Sequence, residues 1–195
     1  LFVNLVFISI LVSFFENIDI KFFIGITPLF LIGFLDDIKI LEHPKLRIIL
    51  LITTILFLIF YLDIRVDRTG FEFLDKLLIN FEFVNYFFLL LCFLTIINGC
   101  NFVDGYNGLL IIHALIILFF LLFINFDNIY FIYNLVFFTS IFIILFLNFP
   151  KAKLFLGDSG AYSIGFLISY SIIETSNLQF NISPFFFCIL LFYLF

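Results

Sequence analysis

The chain has 195 residues, of which 65% are hydrophobic and only 12% charged, with 36 Phe and a net charge of −5. A soluble domain carries roughly a quarter of its residues as charges, and a nucleic-acid binder needs a basic patch against phosphate, so the composition excludes both. It indicates a polytopic helical membrane protein.

Eight apolar runs follow in chain order, at 1–15, 22–35, 47–62, 83–98, 108–125, 129–148, 161–174 and 182–195. Several are shorter than the ~20 residues of an untilted span. Phe, Ile and Leu leave helix and strand propensities in conflict. The bilayer decides for helix, because a lone strand there leaves its backbone unsatisfied. The expected fold is all-α, a transmembrane helical bundle of about eight spans, with residues 1–195 as a single integral-membrane domain. The chain begins at Leu1, contains no Met and ends at Phe195 within an apolar run. These features predict an internal piece of a longer protein, incomplete at both ends. Pro28, inside the second run, predicts a helix kink. Cys92, Cys100 and Cys188 lie in or beside apolar runs without CxxC spacing and read as small packing residues. Asn181 to Ser183 fits a short glycosylation pattern that carries little weight.

Polar residues gather in three loops. Gly33-Phe-Leu-Asp36-Asp37 follows the second run, Asn98 to Gly108 follows the fourth, and Gly157-Asp158-Ser159-Gly160 opens the seventh. If each run spans once, all three emerge on one membrane face. Intramembrane or membrane-edge acids are functional candidates because an unpaired carboxylate beside lipid is costly. The motif-side loops hold Lys39, Lys45, Arg47, Lys151 and Lys153. The opposite side holds Lys21, Arg65, Arg68 and Lys76 in longer, mixed-charge sequence. Short basic loops mark the cytoplasmic side, so the motif face is expected there. The opposite segment 63–82 reads as solvated and partly amphipathic.

Each loop has its own chemistry. Adjacent Asp36 and Asp37 repel unless a cation is near, which suits divalent-metal phosphate chemistry or a base beside a metal; the simpler reading is a solvated loop. Asn98, Asn101, Asp104 and Asn107 recur at intervals of three. On a continuing helix they fall near one face, where their oxygens can ligate Mg²⁺ and their amides can bind phosphate or sugar. Gly105 and Gly108 permit close approach of a ligand. Asp158 and Ser159 stand at a helix start, either as ordinary N-cap residues or as a metal and phosphate site with Lys151 and Lys153 nearby. Lys39, Lys45 and Arg47 could meet phosphates or serve only as a positive flank. His43 reads as a loop residue and His113 as a packing residue.

Taken together, Gly33-Phe-Leu-Asp-Asp, then Asn98-x-x-Asn101-x-x-Asp104-Gly-x-Asn107-Gly-Leu, then Leu156-Gly-Asp-Ser-Gly160 resemble the polyprenyl-phosphate N-acetylhexosamine-1-phosphate transferases, the membrane-type glycosyltransferase family 4. That family includes the phospho-N-acetylmuramoyl-pentapeptide transferases and the undecaprenyl-phosphate GlcNAc-1-phosphate transferases. The resemblance covers roughly residues 20–170. It implies an integral plasma-membrane transferase domain with its site facing the cytoplasm. A polyprenyl phosphate would attack the β-phosphate of a UDP-N-acetylhexosamine, with Mg²⁺ as cofactor, and UMP would leave. Carried over residue by residue, Asp158 would ligate Mg²⁺ with Asn101 nearby. Asp36 would orient or deprotonate the lipid phosphate, with Asp37 in support. Asp104 would share that catalytic group and, with Asn98, bind the nucleotide-sugar or order the metal shell. Lys39 would meet the nucleotide. The resemblance is compatible with a homodimer.

Two positions depart from the family pattern. Many members carry Asp where Asn107 stands, and Ala161 replaces a Ser after Gly160. The His-rich loop of the family is expected beyond the end of this chain. The wording Asp-Gly-Tyr-Asn-Gly favours a GlcNAc-type substrate over the muramoyl-pentapeptide. An aromatic-acceptor prenyltransferase would need acids spaced four apart, which Asp36-Asp37 lacks. An ion-coupled transporter would place acids at the membrane midplane rather than at one face.

Overall fold

The computed structural model describes residues 26–41, 43–150, 154–179 and Ser183. Those residues form seven helices and no strand: α1 Thr27–Asp37, α2 Pro44–Leu62, α3 Glu72–Asn80, α4 Glu82–Val103, α5 Leu109–Ile124, α6 Tyr130–Asn148 and α7 Gly157–Leu178. The all-α expectation holds; of the eight runs expected to span, two lie largely outside the described residues. Three helices, α2, α4 and α6, are long and apolar enough to cross a membrane, and α5 is a shorter apolar helix. The apolar run at 1–15 lies outside the described residues, as does 182–195 apart from Ser183. So do Lys21, Lys151, Lys153, Asn181 and Cys188.

The other two runs differ from plain spans for local reasons. α1 has only 11 residues, and Pro28 stands in its first turn, where the missing N–H is unused, so it starts the helix rather than kinking it. α7 has 22 residues but is rich in Ser and Thr, and most of it is buried inside the bundle. Its hydroxyls turn back on their own helix. Ser163 Oγ donates to the Ser159 carbonyl at 2.7 Å, Ser169 Oγ to Gly165 at 2.7 Å, and Thr175 Oγ1 to Ser171 at 2.6 Å. A helix surrounded by protein does not need the apolar surface that lipid demands.

α7 is the centre of the assembly, packed by α1, α4, α5 and α6. Phe166 stacks on Phe93 of α4 with centroids 4.8 Å apart. Gly165 lets the α4 backbone approach, since a Cβ there would stand 2.9 Å from the Cα of Ile97. The outer helices turn large apolar side chains outward, among them Phe57, Phe60, Phe119, Phe120, Phe142 and Phe146, as a bilayer-facing surface would require.

The far end of α7 is tied to the segment after α2. Asn177 donates from Nδ2 to the Arg65 carbonyl at 2.7 Å and accepts the Asp67 N–H at 3.2 Å. Asn85, at the start of α4, likewise accepts the Val66 N–H and donates to its carbonyl. The segment expected to be partly amphipathic contains α3, which buries Leu78 and exposes Phe73 and Ile79. With that end fixed, the C-termini of α1 and α4 and the N-termini of α2 and α7 share the opposite end. The three acidic motifs therefore lie on one face, as the parity of the runs predicts.

The tightest helix contact is at Gly33, where a Cβ would fall 2.4 Å from both the Cα and the amide nitrogen of Ser159. The obstacle is backbone, so it cannot rotate away. Gly33→Ala is expected to force α1 off α7 and to cost about 1–3 kcal/mol as an overpacking defect. The apparent melting temperature of the purified protein should drop by several degrees. Gly105→Ala, whose Cβ would meet only the Phe102 carbonyl at 3.6 Å, should leave it unchanged.

Candidate functional site

At the shared end, consecutive aspartates serve different purposes. Asp37, the last residue of α1, accepts the Asp158 N–H at 2.8 Å on Oδ1 and the Ser159 N–H at 3.2 Å on Oδ2. It caps α7 from another helix, satisfying amides that have no partner within α7. Asp158 and Ser159 supply no side-chain cap themselves, so the simple N-cap reading of that motif does not apply. Gly157 has φ +67, and a Cβ there would lie 2.6 Å from Asp37 Oδ2. Glycine is therefore required twice at this position, for backbone geometry and for clearance.

Asp36 faces the other way. Its Oδ2 accepts from Arg47 Nη1 at 2.6 Å and from the Tyr162 hydroxyl at 3.4 Å. The same Arg47 nitrogen lies 3.7 Å from Asp158 Oδ2. The side chains are only 12% (Asp36), 25% (Asp158) and 31% (Arg47) exposed. Solvent therefore screens this group less than an ordinary surface ion pair. Tyr162 stands one turn beyond Asp158 on the same face of α7, and Asn101 Nδ2 of α4 lies 3.5 Å from its hydroxyl oxygen. Asp36, Arg47, Asp158, Tyr162 and Asn101 thus form one polar cluster contributed by α1, α2, α4 and α7.

Asp104 follows the end of α4 and accepts a hydrogen bond from the Gly157 N–H. Burial pushes its carboxyl up to about 6, the nearby Asp37 charge adds to the rise, and the Gly157 bond opposes it. Two residues from the expected site do not join the cluster through their side chains. Asn98 Nδ2 donates to the Leu94 carbonyl of its own helix at 2.7 Å. Lys39 adopts left-handed backbone at φ 60 and is exposed in the turn after Asp37. α4 ends at Val103, so Asn107 lies beyond it, and the interval of three does not build one continuous polar face. His43 is exposed at the start of α2.

Sequence reasoning missed Tyr162 and read Arg47 either as a phosphate contact or as a positive flank, not as a partner of Asp36 and Asp158. The spacing of Tyr162 from Asp158, four residues on one helix, was the available signal. Among the described residues no group of three His, Cys, Asp or Glu side chains forms a ready metal cage. The pair Asp36 and Asp158 nevertheless already holds a cation between them, the Arg47 guanidinium. Carboxylate oxygens with a neighbouring amide are the donor set of a small hard cation, so the residues fit Mg²⁺.

A family model described as glycosyl transferase family 4 matches residues 20–176. The chain is 32% identical over 164 residues to an undecaprenyl-phosphate alpha-N-acetylglucosaminyl 1-phosphate transferase of Thermotoga maritima, covering 84% of this chain and 47% of that protein. It is 29% identical over 155 residues to a phospho-N-acetylmuramoyl-pentapeptide-transferase of Dictyoglomus turgidum, covering 74% of this chain and 49% of that protein. The chain spans about half the length of the curated relatives it matches.

The Asp104 environment gives a pH dependence with a definite sign. Its carboxyl is raised from 3.8 to about 6, so the fold favours the protonated form. Ionisation costs no stability below the unfolded value, costs progressively more as pH rises through that window, and costs most above about 6. Asp104→Asn keeps an oxygen for Gly157 and removes the charge. In chelator, the variant should melt higher than the parent at pH about 8 and alongside it at pH about 3.5, read by thermal unfolding in detergent. Equal midpoints at both pH values would show that the charge carries no penalty.

Proposed function

The chain belongs to glycosyl transferase family 4, and on that premise we propose that it transfers GlcNAc-1-phosphate from UDP-GlcNAc to a polyprenyl phosphate at the cytoplasmic face of the plasma membrane. The observation that carries this reading is the convergence of the three acidic motifs on one polar cluster at one end of a membrane-type bundle. In the proposed reaction an oxygen of the lipid phosphate attacks the β-phosphorus of the nucleotide-sugar. The bond from that phosphorus to the bridging oxygen breaks, and UMP leaves with the bridging oxygen. The products are a polyprenyl-diphospho-sugar and UMP.

Residue roles follow from chemistry and placement. Asp36, which Arg47 and Tyr162 contact in this structure, would be the base or orienting group for the lipid phosphate. Asp37 holds the first turn of α7 and with it the direction of Asp158. Asp158 would hold Mg²⁺, with Asn101 beside it, and what Mg²⁺ supplies when bound is neutralisation of the diphosphate and the leaving UMP. Asp104 and the exposed Lys39 would meet the nucleotide-sugar, and Asn98 would do so through its oxygen, since its Nδ2 donates to the Leu94 carbonyl. Fixed charges in a partly desolvated site act on developing phosphate charge far more strongly than in water.

The sugar is assigned from the Asp104-Gly-Tyr-Asn-Gly sequence. The similarity to a muramoyl-pentapeptide transferase keeps a second donor in play. The full-length protein in membranes, given Mg²⁺, undecaprenyl phosphate and radiolabelled UDP-GlcNAc, is expected to put label into the lipid phase and release UMP. Asp158→Ala should lower that rate at least about a hundredfold. Label from UDP-MurNAc-pentapeptide alone would move the protein to peptidoglycan synthesis. No transfer from either donor by folded protein would overturn the reading.

A further inference from the structure

Arg47 sits where its own helix does not favour it. It is the fourth residue of α2, close behind Lys45, with no acidic residue in that first turn. A cation at a helix N-terminus opposes the macrodipole, and His43 offers no side-chain cap. What holds the guanidinium there comes from other helices. One nitrogen, Nη1, bridges Asp36 Oδ2 at 2.6 Å and Asp158 Oδ2 at 3.7 Å. This is not the parallel two-nitrogen fork by which Arg usually grips a carboxylate. It is a single positive centre beside two carboxylates from different helices that also touch each other, and their oxygens are the donor type a hard divalent cation takes. The Arg47 Nε is buried and has no hydrogen-bond partner among the described residues.

Among the described residues, Arg47 is the cation that pairs with these two carboxylates. Tyr162 and Asn101 are neutral donors to this cluster, Asp37 is engaged with α7, and Asp104 takes the Gly157 N–H. Asp36 Oδ2 already accepts from both Arg47 and Tyr162. A metal ion binding the same oxygens would meet the guanidinium at repulsive distance, since two unit charges a few ångströms apart in a partly buried site interact by several RT.

We propose that Arg47 is a resident counter-cation that competes with the divalent metal for Asp36 and Asp158, so that metal loading displaces its side chain from the cluster. Arg47 thereby sets metal affinity as a positioning residue for the carboxylates. The proposal rests on the transferase reading only for the identity of the metal; the competition follows from the carboxylates themselves.

The test uses the full-length protein in detergent and Mn²⁺ alone as the probe, followed by electron paramagnetic resonance without any substrate. Arg47→Gln should tighten Mn²⁺ binding about tenfold or more, because a like charge leaves the site. Arg47→Lys, which keeps a charge but has a compact ammonium in place of the guanidinium, should fall between Gln and the parent. In chelator Arg47→Gln should melt lower than the parent, and added Mg²⁺ should raise its midpoint more than it raises the parent's. Asp158→Asn introduced into Arg47→Gln should abolish the tightened binding.

Unchanged or weaker Mn²⁺ affinity in Arg47→Gln would overturn the proposal, and so would tight binding that survives Asp158→Asn. If Arg47→Gln does not fold, parent-like Mn²⁺ affinity in Arg47→Lys overturns it instead. Sugar-phosphate transfer by the unsubstituted protein, measured separately, decides the transferase reading. A protein with no transfer but the expected Mn²⁺ series would keep the exchange and lose the reaction.

Discussion

The arrangement of this face depends on one carboxylate reaching between helices. The first amides of any helix lack internal partners and carry the positive end of its dipole. In α7 they are met by Asp37 at the end of α1. A cap supplied from another helix fixes the two elements against each other as well as satisfying the amides. Gly33 and Gly157 make the approach feasible, since a side chain at either would collide with Ser159 or Asp37. Because Asp37 takes the amides, Asp158 is released from capping its own helix, and its carboxylate turns toward Arg47.

Four carboxylates crowd this end of the bundle, and the structure meets their charge in different ways. Asp37 is stabilised by a helix N-terminus. Asp36 and Asp158 share one guanidinium, and Tyr162 adds a hydrogen bond to the former. Asp104 has only a backbone amide against burial and the Asp37 charge, and its carboxyl is pushed up to about 6. Among the described residues, the ion pairs to these acids come from Arg47 alone. Convergent carboxylate oxygens are the donor set of a hard cation.

Much of this was legible in the chain. The apolar runs gave the helical class, and their order placed Asp36, Asp104 and Asp158 on one face. Four kinds of information were not legible. Hydropathy could not tell a helix that meets lipid, such as α2, from one surrounded by protein, such as α7. The periodicity of Asn98, Asn101, Asp104 and Asn107 suggested one helical face, but α4 ends at Val103, a boundary with no strong stop signal before Gly105. The separate uses of Asp36 and Asp37 depend on how α1 is rotated against α7, which adjacent identical residues cannot reveal. Tyr162 was hidden within an apolar run, where an aromatic residue reads as packing until a neighbouring carboxylate is known.

The polar character of α7 connects these points. A helix that begins in a charged cluster and then enters the bundle must satisfy its hydroxyls without water. Ser163, Ser169 and Thr175 do so on their own backbone. At the far end Asn125 donates to Thr175 Oγ1, and the Tyr130 hydroxyl donates to Glu174. With both ends hydrogen-bonded and its sides buried, α7 is held in rotation and in depth. The role proposed for Asp158 needs a rigid element behind it, because small errors in position are costly. Asp158 and Tyr162 sit on the most enclosed helix of the described structure, while the outer helices supply the apolar surface that lipid requires.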